Sequence, residues 1–268
     1  MQNVLEALTE AARQEPELAP YFEMHRTLFE LQSEVRNEIS ATLELADETA
    51  LQSRLQRGLP LIAFEQLPIK AGRFVALATR LAQVLTEYAV EVGEGTLPGD
   101  ADAWLALARQ RFDEGQWAEA HEAEPVDKTL AQTAADLALK PYLEWAAERV
   151  LLHVDQEHWK RGHCPVCGGE PDFAYLDSET GARHLVCSRC DSQWLYRRLK
   201  CPFCGTDDHE KLSYYPDEKG VYRLYVCQNC RRYLKAIDLR QVGRRILFPV
   251  ERLKTLNMDL AARQEGYR

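Results

Sequence analysis

Eight cysteines in four C-x-x-C pairs constrain this chain more than any other feature of its sequence. All of them lie in the last two fifths of the 268 residues. Two cysteines three positions apart on a tight turn can both present sulfur to one metal ion, and two such turns complete a tetrahedral shell. In a reducing compartment this spacing favours metal-bound thiolates over structural disulfides, which remain the alternative.

The cysteine-rich region also repeats itself. CPVCGGEPDFAYLDSETGARHLVCSRC is followed, after ten residues, by CPFCGTDDHEKLSYYPDEKGVYRLYVCQNC. Each half contains a C-P-x-C-G turn, an aromatic run, a glycine-containing turn, an apolar run and a second C-x-x-C pair. The repeat predicts two tandem β modules of the rubredoxin or zinc-ribbon kind.

Sequential pairing of the turns is favoured over interleaved pairing. Each module then has its own hairpin, whereas interleaving would force the ten-residue connection to cross between sites. Gly168 and Gly205, which follow the second cysteine of their turns, allow those turns to close with positive φ. The predicted metal ligands are Cys164, Cys167, Cys187 and Cys190 for a first site, and Cys201, Cys204, Cys227 and Cys230 for a second.

Four thiolates predict two mononuclear metal ions per chain, and they do not distinguish zinc from iron. The spacing disfavours a bridged iron–sulfur cluster. A shell of four sulfurs leaves no open position for a catalytic water. The sequence also contains no P-loop, no G-x-G-x-x-G and no evident nucleophile–base pair, so we expect no catalytic residues, no other cofactor and no enzyme activity.

Several neighbouring side chains have two interpretations. His163 and His184 could replace a ligand, but with four cysteines at each site we expect them to be exposed or to support the site from outside. A group of cations either offsets the charge of the thiolates or is simply solvated: Arg183, Arg189, Arg197, Arg198, Lys200, Arg231, Arg232 and Lys235. A set of aromatics is expected to fill the module cores rather than to stack on bases: Trp194, Tyr196, Tyr214, Tyr215, Tyr222 and Tyr225.

The rest of the chain has no cysteine and shows helical periodicity. Predicted helices cover the first residues, Pro16 to Ala46, Ala71 to Val92, a stretch capped by Asp100 or Asp102, and Val126 to Trp159, where Pro141 predicts a kink or two helices. The fold class is multi-domain α+β. The expected domains are an all-helical domain over 1–160, a first metal module over 161–198, and a second module with a C-terminal tail over 199–268.

Charge divides at the same boundary. There are 14 Lys/Arg and 28 Asp/Glu up to Lys160, and 19 and 14 beyond it, for a net charge of −9. This balance disfavours nucleic acid binding, although the basic region keeps a zinc-ribbon nucleic-acid binder as the alternative function. The first residues do not read as a signal peptide, and no apolar run approaches the roughly 18 residues of a membrane span. We therefore expect a cytoplasmic protein.

The whole chain resembles the formate dehydrogenase accessory protein family, FdhE. The residues that carry the resemblance are CPVCG at Cys164, CSRC at Cys187, CPFCG at Cys201, CQNC at Cys227, YLKAID at Tyr233 and the tail LAARQEGYR. The resemblance implies a cytoplasmic helper, not a dehydrogenase. It implies that the protein is needed for active respiratory formate dehydrogenase, binds the catalytic subunit before export and carries rubredoxin-type iron at the eight cysteines.

Overall fold

The computed structural model describes residues 2–93, 95–116 and 128–268. They form two compact units, one comprising Met1–Leu45 and Ile62–Arg149 and the other Ala46–Leu61 and Val150–Arg268. The helical front and the β region with two four-cysteine groups confirm the predicted fold class. The predicted domain bounds stay a prediction.

Helices α1, α2, α4, α5 and α6 make up the first unit, at Gln2–Gln14, Ala19–Glu38, Ala71–Glu87, Ala101–Glu114 and Leu130–Val150. The predicted stripe of α4 is buried through Phe74, Leu77, Ala78, Leu81 and Leu85. The helix ends earlier than Val92 because Ala89 takes a left-handed conformation, with φ of 51°. The N-cap of helix α5 is Asp100, which is one of the two predicted N-cap residues.

Pro141 lies inside α6, which continues through it as one helix. Proline has no N–H, so the carbonyl of Leu137, four residues earlier, loses its helical partner. Gln32 of α2, a buried residue, donates its side-chain amide to that carbonyl at 2.8 Å. Of the two predicted alternatives at Pro141, a kink or two helices, two separate helices are excluded because α6 is continuous.

The predicted helix from Val126 to Trp159 differs from the structure at its carboxyl end. Its start at Val126 lies outside the described residues, and α6 ends at Val150 rather than at Trp159. Beyond that point the Asp155 carboxylate accepts the backbone N–H groups of Glu157 and His158. Such local side-chain bonds compete with a helix, so the chain turns here instead.

The second unit contains one six-stranded sheet of order β3-β2-β1-β6-β5-β4. The strands are Pro171–Leu176, Arg183–Cys187, Gln193–Leu195, Leu212–Pro216, Tyr222–Cys227 and Tyr233–Asp238 for β1 to β6. Each sequence repeat supplies three antiparallel strands, and β1 pairs with β6 in parallel. The two predicted modules therefore share one sheet.

Helices cover one face of this sheet. α7 (Phe248–Lys254) and α8 (Leu256–Gln264) follow β6. Phe173, Val186 and Ile237 of the sheet form a core against which Phe248 packs, and Leu224 and Val226 form a second core with Ala262. α3 (Glu48–Gln56) also belongs to this unit, capped by the Asp47 side chain. In the part of the chain that is described, none of the helices is both long and apolar enough to cross a membrane.

Candidate metal centres

The structure brings the eight cysteines into two groups of four sulfurs. Cys164 and Cys167 lie on the turn before β1, and Cys187 and Cys190 lie at the end of β2 and in the turn after it. Within this first site the Sγ atoms of Cys164 and Cys190 are 3.6 Å apart, and those of Cys167 and Cys187 are 3.5 Å apart.

The second site repeats this arrangement in the second half of the sheet. Cys201 and Cys204 precede β4, while Cys227 ends β5 and Cys230 follows it. The Sγ atoms of Cys201 and Cys230 are 3.8 Å apart, and those of Cys204 and Cys227 are 3.7 Å apart. In both sites all four sulfurs lie within 4.8 Å of one another.

These separations fit a single metal ion. A tetrahedral ion with metal–sulfur bonds of about 2.3 Å holds its sulfurs about 3.8 Å apart. All eight cysteines are free of disulfide bonds. The two groups can thus hold two metal ions per chain, at Cys164, Cys167, Cys187 and Cys190 and at Cys201, Cys204, Cys227 and Cys230.

Each cysteine turn is closed by the same backbone bond. The N–H of the first cysteine donates to the carbonyl five residues later: Cys164 to Gly169, Cys187 to Ser192, Cys201 to Thr206 and Cys227 to Arg232. The residue after the second cysteine takes positive φ, 75° at Gly168 and 71° at Gly205. This conformation was predicted for the glycines.

The other two turns close in the same way without glycine. Asp191 and Arg231 follow the second cysteine there, with φ of 57° and 56°. A left-handed conformation is uncommon for such residues and is held by the surrounding structure. At Cys187 the turn also directs the Arg189 N–H to the sulfur at 3.4 Å, a bond that favours the thiolate form.

Proton binding in the first site follows from the crowding of four thiols. Burial, together with the hydrogen bonds among neighbouring thiols, raises the pKa of Cys164 and Cys190. At Cys187 burial also opposes ionisation, but hydrogen bonds from the other three cysteines outweigh it and lower the pKa. The crowding of buried sulfurs thus opposes the ionisation of Cys164 and Cys190, and a metal cation would supply the charge that keeps four thiolates together.

The second site shows the same tendency with more solvent. The hydrogen bond to Cys230, together with burial, raises the pKa of Cys201. Burial raises the pKa of Cys227 to about 11. Cys204 is exposed and Cys230 is half-buried, whereas all four cysteines of the first site are buried. The two sites therefore share their sulfur geometry and differ in access.

The two histidines considered as ligands lie outside both sulfur groups. His163 Nε2 is 3.1 Å from the carbonyl of Gly58, and its ring meets the edge of Trp159. His184 stacks on Tyr175 with ring centroids 4.8 Å apart. His163 and His184 thus support the structure around the first site.

The cations near the sites are mostly engaged with the protein. Arg183 is buried and donates to the carbonyls of Arg197 and Lys200; burial lowers its pKa to about 10. Arg232 pairs with Glu170 of the other repeat, and Lys235 pairs with Asp259 of α8 at 2.6 Å. These contacts hold the strands of the sheet and helix α8 in place. The three cations are therefore not part of a solvated surface around the thiolates.

The aromatic residues divide between core and surface. Trp194 and Tyr196 are buried, and Tyr222 and Tyr225 are half-buried. Tyr214 and Tyr215 are instead 49% and 54% exposed. The expectation that all six fill module cores is wrong for these two, because β4 lies at the edge of the sheet.

Two features that position the first site were missed at the level of sequence. Leu61, at the end of a segment assigned to the helical front, donates its N–H to the carbonyl of Pro165 between Cys164 and Cys167. Arg252 of α7 donates to the carbonyl of Cys187 at 2.9 Å and pairs with Asp172 and Asp191. Both are long-range contacts for which local motifs give no indication.

The fold and these two cysteine groups define a protein with a helical unit and a β unit that can hold two metal ions, each in a shell of four sulfurs. A family model described as "FdhE, central domain" matches residues 163–198. A protein FdhE homolog of Aquifex aeolicus is 36% identical over 134 residues, which cover 48% of this chain and 46% of that protein. One from Pseudomonas aeruginosa is 29% identical over an alignment of 289 positions, covering 98% of this chain and 85% of the relative.

The chain is similar to proteins of the FdhE family, to the Pseudomonas relative over 98% of its length and to the family model over residues 163–198. The crystal structure of the FdhE protein from Pseudomonas aeruginosa superposes with a TM-score of 0.60 at 22% identity, covering 99% of this chain and 91% of that one. At that identity the likeness concerns the fold. The match to the Aquifex protein spans about half of that relative's length.

Proposed function

We propose that this chain is a non-enzymatic assembly factor required for active formate dehydrogenase. In this proposal it binds the catalytic subunit in the cytoplasm, and each cysteine group holds one mononuclear iron. The observation that carries the proposal is the closure of four sulfurs around one point at both sites, in a chain similar to FdhE proteins. A closed shell leaves no coordination position for a substrate, which favours a helper over an enzyme.

Iron is preferred to zinc on the family resemblance, and zinc is the alternative. Both ions suit four thiolates. The eight cysteines are the proposed ligands, and the backbone N–H groups of their turns would lower the charge density on the sulfurs. Metal analysis of protein purified without oxygen distinguishes the two ions, since zinc gives no visible absorption and no redox chemistry.

Affinity purification from anaerobic cells tests whether the chain binds the catalytic subunit. We expect the tagged chain to enrich the catalytic subunit of formate dehydrogenase, compared with the same cells carrying an untagged chain. We also expect that loss of the gene abolishes formate dehydrogenase activity while the subunit is still synthesised. Absence of enrichment together with undiminished activity in the deletion strain contradicts the proposal.

A zinc-ribbon nucleic-acid binder is the second candidate, favoured by one observation. The exposed rings of Tyr214 and Tyr215 lie on a module whose preceding connection carries the exposed cations Arg197 and Arg198, a combination typical of single-strand binding surfaces. The net charge of −9 argues against it. Fluorescence anisotropy with labelled single strands and duplexes tests it, and salt-sensitive binding is the expected result if this candidate holds.

A further inference from the structure

The two edges of the sheet differ in how their backbone groups are satisfied. At β3 the side chain of Gln156 accepts the N–H of Leu195 at 3.1 Å and donates to the carbonyl of Gln193 at 3.4 Å. The amide of Gln156 thus takes the place of a neighbouring strand. Such cover prevents another chain from pairing with an edge.

The β4 edge has no equivalent cover. Asp217 donates its N–H to the carbonyl of Tyr222, and Gln228 donates to Lys211. In the register that joins Ser213 to Val226, the backbone of Ser213 and Tyr215 therefore faces β5. The N–H and carbonyl groups of Leu212 and Tyr214 point away from β5. The Leu212 N–H donates to the carbonyl of His209, whereas the Leu212 carbonyl and both backbone groups of Tyr214 have no hydrogen-bond partner within the described chain.

Pro216 occupies the next outward position on β4. A proline has no N–H to offer, so pairing on this edge is limited to the stretch around Leu212 and Tyr214. One free donor, at Tyr214, and two free acceptors, at Leu212 and Tyr214, can anchor one short extended segment. The edge is consequently open but short, a form suited to a peptide rather than to a long strand.

A cleft beside this edge is positively charged. It is lined by Leu212 and Tyr214 of β4, by Arg198 and Lys200 of the connection, and by Arg183 and Arg232 among its other residues, and no acidic side chain lines it. Arg198 and Lys200 have no ion-pair partner among the residues that the structure describes. Arg232 pairs with Glu170 and Arg183 is buried, so Arg198 and Lys200 are the cations of this cleft that can reach a ligand.

We propose that the β4 edge binds an extended acidic peptide strand of a partner protein. The Leu212 carbonyl and both outward groups of Tyr214 pair with the peptide backbone, and Arg198 and Lys200 bind its carboxylates. The exposed acids Asp207, Glu210 and Glu218 lie before and after the strand, so the attraction for carboxylates is confined to the middle of the edge, beside Arg198 and Lys200. The inference holds for any partner with such a segment, whether or not it is a formate dehydrogenase.

The test uses the metal-loaded full-length chain and a short fluorescent peptide in which valine and glutamate alternate. Arg198→Glu should weaken binding about tenfold. Arg245→Glu is the matched control, because Arg245 is an exposed cation on the chain segment that covers the opposite face of the sheet. The affinity of this variant for the peptide should stay within about twofold of that of the unaltered protein. Equal effects of the two reversals overturn the proposal.

Backbone pairing is tested separately. Tyr214→Pro removes an outward N–H at a position equivalent to that of Pro216, whereas Tyr214→Ala removes the same ring and keeps the N–H. The proline variant should bind about tenfold more weakly than the alanine variant. A peptide N-methylated at alternate amides should lose binding to the unaltered protein, which keeps the test valid if Tyr214→Pro does not fold. Retained binding of the N-methylated peptide overturns the proposal.

Two other occupants are distinguished by the same materials. A concentration-dependent dimer in analytical ultracentrifugation that Tyr214→Pro dissociates would assign the edge to a second copy of this chain and overturn the proposal. An oligothymidylate that displaces the peptide and binds more tightly than it would assign the surface to nucleic acid, with the same consequence. A monomer that prefers the acidic peptide supports it.

Discussion

The first and second cysteine sites have the same turns, the same sulfur separations and different surroundings. At the first site the chain around Leu61 and the guanidinium of Arg252 contact the cysteine turns directly, and all four cysteines are buried. At the second site Cys204 is exposed, and its sulfur accepts a 3.5 Å hydrogen bond from the side chain of Asn229.

The comparison shows that the sulfur geometry of a site and its exposure to solvent have different causes. The local motif produces the sulfur cage, because turn geometry and ligand spacing are encoded within each repeat. Residues distant in sequence determine the access of solvent to the cage. Equal cages with unequal cover should therefore differ in stability contribution and in metal exchange, with the first site stabilising the fold and the second exchanging its metal.

Removal of one ligand from each site gives the largest expected effect. Cys187→Ser disrupts the buried site at the end of β2, where loss of the metal leaves uncompensated buried thiols. It should release one metal per chain and lower the free energy of unfolding by on the order of 5 kcal/mol.

Cys204→Ser is the matched change at the exposed site. It should also release one metal per chain but lower the free energy of unfolding by less than half as much, as denaturant unfolding monitored by tryptophan fluorescence would measure. Equal losses, or a larger loss for Cys204→Ser, would show that cover does not distinguish the sites.

Arg252→Ala should have the next largest effect. Its guanidinium donates to the Cys187 carbonyl and pairs with Asp172 and Asp191, so truncation removes a cation from two carboxylates and a hydrogen bond from the cysteine turn. We expect a loss of about 3 kcal/mol. Arg245→Ala, at an exposed cation with no ion pair in the described chain, should change stability by less than about 0.5 kcal/mol. Similar values for the two variants would remove Arg252 from the account.

Chelator kinetics measure the access of solvent directly. Metal release into an excess of a chromophoric chelator should show two phases of equal amplitude that differ at least about tenfold in rate. The faster phase belongs to the second site and should disappear in Cys204→Ser, while the slower phase persists. A single phase in the wild-type protein, or a fast phase that survives in Cys204→Ser, contradicts the assignment.

The smallest expected effect comes from a glycine beside the first site. Gly58 has φ of 73°, and a Cβ there would overlap the Arg161 guanidinium. Gly58→Ala should lower stability by about 1–2 kcal/mol and speed the slow phase of metal release. Gly220 has φ of 69° with open space around it, so Gly220→Ala measures the loss of stability that comes from placing alanine at positive φ without a steric overlap. If Gly220→Ala were the more damaging change, the contact with Arg161 would have no role.

The sequence predicted what is encoded locally. The cysteine turns, positive φ at Gly168 and Gly205, the buried stripe of α4 and the Asp100 cap all depend on residues within a few positions of one another. Each follows from the conformational preference or periodicity of a short segment. The two tandem modules could likewise be predicted, because the two halves of the cysteine-rich region have similar sequences.

Long-range contacts could not be predicted in this way. The parallel pairing of β1 with β6 joins residues from opposite ends of the cysteine-rich region. Gln32 bonds the carbonyl that Pro141 frees more than one hundred positions later. Tyr214 and Tyr215 were expected in a core, but their exposure depends on the position of β4 in the whole sheet. Such contacts are fixed by tertiary packing, which overrides local patterns.

Metal content and visible absorption of protein purified without oxygen test the central claim, that each group of four cysteines holds one mononuclear ion. We expect close to two iron ions per chain with thiolate-to-iron charge-transfer bands, and one ion in Cys187→Ser and in Cys204→Ser. Protein that contains no metal, or that has inorganic sulfide in proportion to iron, would contradict the claim. Two zinc ions without colour would keep both sites and replace the proposed iron.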